Sequence, residues 1–211
     1  MSMNVLVLGA TGATGRHVVT RALQLGHLVT TLVRDSQRLR IASDRLRVLT
    51  GNVVDDEAAL VSAVSRQDAV ICTLGVGKSF KSGGLIAASV PRIVRAMDFQ
   101  RVRRLIFTSA FGVGDTYRDV PFVPRLFIRT LLRDVYRDKH AGEEAIRNSG
   151  LDWTLVYPTG LTDGPATGAY RMGERLSLRG FPRIARADVA DFLVKQLEDT
   201  SYLRKCVLVT S

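Results

Sequence analysis

Little in this chain could hold a metal or a disulfide. Its 211 residues include two cysteines, Cys72 and Cys206, and three histidines. The cysteines stand far apart in apolar runs, which reads as buried, reduced thiols and excludes a disulfide framework. Three histidines with so few thiols make no metal-ligand cluster, and His17 and His27, beside the first helical pattern, take no chemistry. The single tryptophan, Trp153, lies in an apolar run and reads as core. No apolar stretch reaches membrane-spanning length and no charged-then-apolar leader precedes the first strand, so the chain reads as cytoplasmic, with no membrane partner. Acidic residues are short as well: 20 Asp and Glu against 30 Lys and Arg leave a net charge of +10. That excess invites an anionic partner. The basic residues are almost all arginine and are spread through the elements, without a basic tail or a nucleic-acid motif. This disfavours nucleic acid and favours a phosphorylated ligand or a solvated surface. A chain of this length buries about 70% of its unfolded surface and folds without a staple as a single domain.

What the sequence does contain is alternation. Apolar runs over 4–8, 28–33, 47–49, 69–74, 105–108, 153–157 and 206–209 read as strands. Helical periodicity covers 15–25, 56–65, 86–99, 123–148 and 188–198, with Asp188 placed as a helix cap. Several strand runs are continuously apolar, as strands covered on both faces must be. The order predicts an α/β fold, a Rossmann-type doubly wound parallel sheet in a single domain. Two long irregular stretches, 110–122 and 158–182, read as substrate loops at the carboxyl edge of the sheet.

The first strand runs into Gly9-Ala10-Thr11-Gly12-Ala13-Thr14-Gly15 and then into a helix. Strand, glycine loop and helix in that order make a pyrophosphate cradle. The loop tolerates positive φ and close backbone approach, and the helix N-terminus offers unpaired N–H groups. The spacing is G-x-x-G-x-x-G rather than G-x-G-x-x-G, and its context points to a dinucleotide site. At the end of the second strand, where NAD-binding chains place an acid, stands Arg34. With Arg38 four positions on, it suits a 2′-phosphate and favours NADP over NAD. Asp35 is the counterweight, because its carboxylate would suit the 2′-hydroxyl of NAD.

At the chemical end, Ser109 follows the fifth strand, placed to polarise a carbonyl or hold an acceptor. A loop-capping role is the alternative. The next helix carries Tyr136, Lys139, His140, Glu143 and Glu144. A tyrosine–lysine pair handles protons when the lysine lowers the phenol pKa. Tyr136 and Lys139 are three apart rather than the usual four, so which of them handles protons stays open. His140 is read as a surface residue. Arg125, Arg129, Arg133 and Arg137 recur every four residues and form one helical stripe. It is either a solvated face or a rim that draws an anionic acceptor.

These segments resemble the atypical short-chain dehydrogenase/reductase family with the G-x-x-G-x-x-G loop, the NAD(P)-binding or NmrA-like group, and within it the flavin-reductase (biliverdin-IXβ-reductase) type. Besides the glycine loop, Leu32-Val33-Arg34-Asp35-Ser36-Gln37-Arg38-Leu39, Thr108-Ser109-Ala110-Phe111, Ser149-Gly150-Leu151 and Thr167-Gly168-Ala169-Tyr170 match in order and spacing. The resemblance implies a monomeric NADPH-dependent reductase passing hydride to a flavin, quinone or tetrapyrrole-like planar acceptor. By the same carry-over, Asn52 and Val53 flank the adenine, Leu74 and Gly75 line the dinucleotide, Pro158 borders the nicotinamide and Ser109 is the active-site serine. Two histidines of the type fall at Lys139 and Gly160, which moves the expectation from biliverdin toward flavin or quinone. An NADP(H)-sensing NmrA-like regulator without turnover is the second reading. A sugar-nucleotide epimerase is disfavoured by the tyrosine–lysine register and by chain length.

Overall fold

A computed structural model describes every residue except Lys78, Pro121 and Arg179, and the backbone alone of residues 122–124. In chain order the elements are β1 (Asn4–Leu8), α1 (Ala13–Gln24), β2 (Leu28–Val33), β3 (Leu46–Thr50), α2 (Glu57–Val64), β4 (Ala69–Cys72), α3 (Leu85–Phe99), β5 (Arg104–Thr108), α4 (Phe122–Thr130), α5 (Arg133–Arg147), β6 (Asp152–Pro158), β7 (Gly160–Thr162), β8 (Arg171–Gly173), β9 (Arg183–Ala185), α6 (Arg186–Lys195) and β10 (Lys205–Thr210).

Eight strands form one sheet in the order β3-β2-β1-β4-β5-β6-β10-β8. The pairs from β3 to β10 are parallel, and only β8, against β10, is antiparallel. This is the doubly wound arrangement, with its switch point between β1 and β4. The continuous apolar runs have a direct cause. Alternate side chains of a strand leave on opposite faces. Val5 and Val7 pack with Val18 and Val19 of α1 and with Val189 and Phe192 of α6. Leu6 and Leu8 pack on the other face with Leu60 of α2, Ile86 and Ile93 of α3, and Ile146 of α5. Trp153 is core, as expected, at 7% exposure.

Four expectations need correction. The helix expected over 123–148 is two helices, with the chain turning at Leu131 and Leu132. Two separate sets of contacts fix their directions: Phe127 of α4 leans edge-on against Phe80, while Asp134 and Asp138 of α5 accept hydrogen bonds from Ser82, Ile86 and Ala87. The arginine stripe is therefore divided, Arg125 and Arg129 on α4 and Arg133 and Arg137 on α5. Asp188 does not cap a helix. It is fully buried in the first turn of α6 and accepts from the Thr167 and Gly168 N–H groups and the Thr167 hydroxyl, each at 2.9 Å. The loop expected over 158–182 contains the short strands β7 and β8, and β7 pairs with β9 in a separate small sheet.

Candidate functional site

At the switch point the loop after β1 meets the loop after β4. Gly9 has φ +83, and a Cβ there would sit 2.8 Å from the Thr73 carbonyl carbon. A Cβ on Gly15 would lie 2.1 Å from the Gly9 carbonyl oxygen. Both glycines thus let the loop fold onto β4 and α1 without obstruction. The Gly12 N–H donates to the Gly9 carbonyl at 2.9 Å, closing the turn, and α1 begins at Ala13. The Thr73 N–H and hydroxyl both donate to the Leu8 carbonyl, at 2.9 and 3.0 Å, tying the two loops together.

These loops border a cleft of about 620 Å³. Gly9, Thr11, Gly12, Arg34, Arg38, Asn52, Val53, Leu74 and Gly75 line it together. Ala13, Thr14 and Gly15 lie just beyond, in the first turn of α1, and Pro158 ends β6 outside it. The sequence reading missed the opposite wall. Val76, Gly77, Ser82, Gly83, Gly84 and Leu85 also line the cleft, so the N-terminus of α3 faces it as well as the glycine loop. The pair Gly83-Gly84 ahead of a helical pattern was the available signal. Asp138 stands in for a cap on α3, taking the Ile86 and Ala87 N–H groups at 2.9 and 2.8 Å.

The far end is cationic. Arg34 and Arg38 are exposed, and the Arg38 carbonyl is held by Arg16 at 3.1 Å. Asp35 is turned to its own short helical turn, where its carboxylate accepts the Gln37 N–H at 3.0 Å. Asn52 closes an Asx turn onto the Val54 N–H at 3.0 Å, leaving its backbone on the cleft wall. A glycine cradle from which Cβ atoms are excluded, a helix N-terminus and two guanidiniums fit a dinucleotide carrying an extra phosphate.

The residues expected at the chemical end lie around the β5 and β6 tips. The β4–β5 register pairs Cys72 with Phe107, and Ser109 stands two residues beyond Phe107, outside the set that lines the cleft. Ser109 is 4% exposed, and its hydroxyl donates to Glu143 Oε1. Tyr136 and Lys139 donate to different backbone carbonyls. The Tyr136 hydroxyl donates to the Phe111 carbonyl at 3.1 Å, and burial pushes this phenol up to about 12. Lys139 Nζ donates to the Thr108 carbonyl at 3.3 Å and stands 5.8 Å from the Phe107 ring centroid. Burial lowers the Lys139 pKa, opposed by the nearby Cys72, Glu143 and Asp138. His140 is half-exposed beside Glu144, 3.7 Å away. Among the described residues no group of His, Cys, Asp and Glu could hold a metal ion, and no helix is long and apolar enough to cross a membrane.

A family model described as NAD(P)H-binding matches residues 9–200. The chain is 25% identical over 202 residues to the "Uncharacterized sugar epimerase YhfK" of Bacillus subtilis, covering 93% of this chain and 89% of that one. It is 28% identical over 226 residues to phenylcoumaran benzylic ether reductase PT1 of Pinus taeda, covering 95% of this chain and 67% of the relative. A short-chain dehydrogenase/reductase from Veillonella parvula, solved in complex with NADP, has the same fold at TM-score 0.83 and 20% identity, over 100% of this chain and 95% of that one.

Proposed function

The chain belongs to the NAD(P)H-binding family, and from there we propose that it is an NADPH-dependent reductase acting on a planar acceptor, a flavin, quinone or tetrapyrrole-like molecule. One observation carries the reading: the glycine loop, two helix N-termini and the Arg34–Arg38 pair border a single cleft. The Pinus relative is named a reductase and the Veillonella protein was solved with NADP, and both names support it.

Bound NADPH supplies a hydride. The residues of the chain do the rest. Gly9, Gly12 and the first turn of α1, Ala13 to Gly15, hold the pyrophosphate beside Thr11. Arg34 and Arg38 grip the 2′-phosphate, and Asp35, already engaged by Gln37, leaves NAD the poorer ligand. Asn52 and Val53 flank the adenine, Leu74 and Gly75 support the middle of the dinucleotide, and Pro158 backs the nicotinamide end. Ser109 and Lys139 orient the acceptor for hydride transfer, which needs donor and acceptor atoms about 3–3.5 Å apart. Tyr136 steadies the loop at Phe111 rather than giving up a proton. The protein works as a monomer in a reducing cytoplasm, where its two thiols stay free.

The test is NADPH consumption followed by absorbance with FMN and with a quinone. Turnover with NADPH well above that with NADH supports the reading. Tight NADPH binding with no oxidation by any acceptor would replace it with the sensor reading, which the three-residue spacing of Tyr136 and Lys139 favours. The Bacillus relative carries an epimerase name at nearly the same length, so length is no argument against that chemistry. The three-residue spacing of Tyr136 and Lys139, where four is usual, is.

A further inference from the structure

Behind Ser109 lies a carboxyl group to which the reading above gives no part. Glu143 of α5 is fully buried. Ser109 donates to its Oε1, and the Tyr157 hydroxyl donates to its Oε2 at 2.7 Å. Arg147, one turn along α5, comes within 3.7 Å of Oε2 and donates to the Tyr157 oxygen at 3.1 Å. The far side of this network is thin. A Cβ on Gly114 would lie 3.2 Å from Glu143 Oε2 and 3.5 Å from His140 Nδ1. Beyond Gly114 opens a recess of about 400 Å³ lined by Gly114, Asp115, His140, Glu144 and Arg147. Glu143 therefore stands between this recess on one side and Ser109 on the other.

We infer that Glu143 is a proton-relay and positioning residue behind Ser109, refilled from solvent through the recess over Gly114. The inference rests on the reductase reading. Reduction of a quinone to the hydroquinone takes one hydride, which carries both electrons, and one proton. The Ser109 hydroxyl turns from Glu143 to the acceptor oxygen, and its O–H bond breaks as that oxygen takes the proton. Ser109 Oγ then takes the carboxylic proton of Glu143, and the Glu143 carboxylate recovers a proton from water in the recess. The groups facing Glu143 suit a carboxyl that cycles between acid and anion. They are Ser109 from the β5 tip, Tyr157 from β6, Lys139 and Arg147 from α5, and His140 across Gly114, with Cys206 of β10 behind Tyr157 at 3.8 Å. Burial raises the Glu143 pKa, against the hydrogen bonds from Ser109 and Tyr157 and the charges of Arg147 and Lys139, so the acid form is accessible. Ser109 has a single hydroxyl, and without a partner it would give up its proton once.

The test compares a quinone, which needs a proton, with the N-methylphenazinium cation, which becomes neutral on taking a hydride alone. In wild-type protein, heavy water should slow quinone turnover more than dye turnover. In Glu143→Gln the ratio of quinone to dye turnover should fall about tenfold or more, in the range of lost acid–base assistance. Independently of turnover, the infrared protonated-carboxyl C=O band of Glu143, identified by its absence from Glu143→Gln, should persist to higher pH than those of exposed carboxyls. An unchanged ratio, equal isotope effects, or a Glu143 band that vanishes together with those of exposed carboxyls would overturn the relay and leave the reductase reading standing. Wild-type protein that binds NADPH but reduces neither acceptor would overturn both.

Discussion

Single residues bear the sharpest tests. Gly15→Ala would drive a methyl group to 2.1 Å from the Gly9 carbonyl oxygen. That neighbour is backbone and cannot swing away, so the substitution should cost about 1–3 kcal/mol in urea unfolding and abolish NADPH binding by calorimetry. Full binding by the alanine variant would contradict the close-approach argument. Arg34 makes a different claim, about selectivity rather than shape. Arg34→Glu should weaken NADPH about tenfold or more, about 1.4 kcal/mol, and leave NADH nearly unchanged. Equal losses for both nucleotides would remove the 2′-phosphate assignment. Arg34, Gly9 and Gly12 were legible from the sequence because their chemistry is local: a turn, a helix start, a charge at a strand end. Glu143 was not. Nothing in Gly142-Glu143-Glu144 separates the buried acid from its exposed neighbour, since the partners Ser109 and Tyr157 come from other strands.

At the scale of elements, the cleft depends on a cap supplied by another helix. α3 starts after Gly84, which has no side chain to offer, and Asp138 of α5 takes the Ile86 and Ala87 N–H groups instead. Asp138→Ala leaves those donors without their acceptor, should cost about 1–3 kcal/mol, and should weaken NADPH, because Gly84 and Leu85 line the cleft. A variant with wild-type stability and affinity would show that α3 needs no such cap. A second tie joins α1 to α6. Burial pushes the Asp191 carboxyl up, but hydrogen bonds from Lys195, Tyr170 and Arg21 outweigh it and hold the group below its ordinary range. A carboxyl lower in the folded than in the unfolded chain stabilises the fold above the unfolded pKa, about 3.9. That stability is lost as pH falls through the folded value. Asp191→Asn should therefore lower stability near neutral pH and flatten the acid limb of the Tm-versus-pH curve. Parallel curves for the two proteins would refute the linkage. The buried strands could be read because two-sided burial leaves a continuous apolar run. The α4–α5 break could not, because both helices share one periodicity and neither Gly nor Pro marks Leu131 and Leu132. β7 and β8 are three residues long and largely exposed, so they carry no apolar run to read.

For the molecule as a whole, the doubly wound sheet fixes where a ligand must go. Reversal of strand order between β1 and β4 opens the crevice, and the carboxyl ends of β1, β2 and β4 each contribute a wall. The net charge of +10 then acts on the approach of an anionic cofactor more than on the fold itself. Catalysis, the relay and the choice of acceptor all presuppose that this crevice holds NADPH. Isothermal calorimetry of the purified protein against NADPH and NADH at one salt concentration tests that directly. The account predicts one site per chain, saturable by NADPH and at least about tenfold weaker for NADH. No heat from either nucleotide would contradict it.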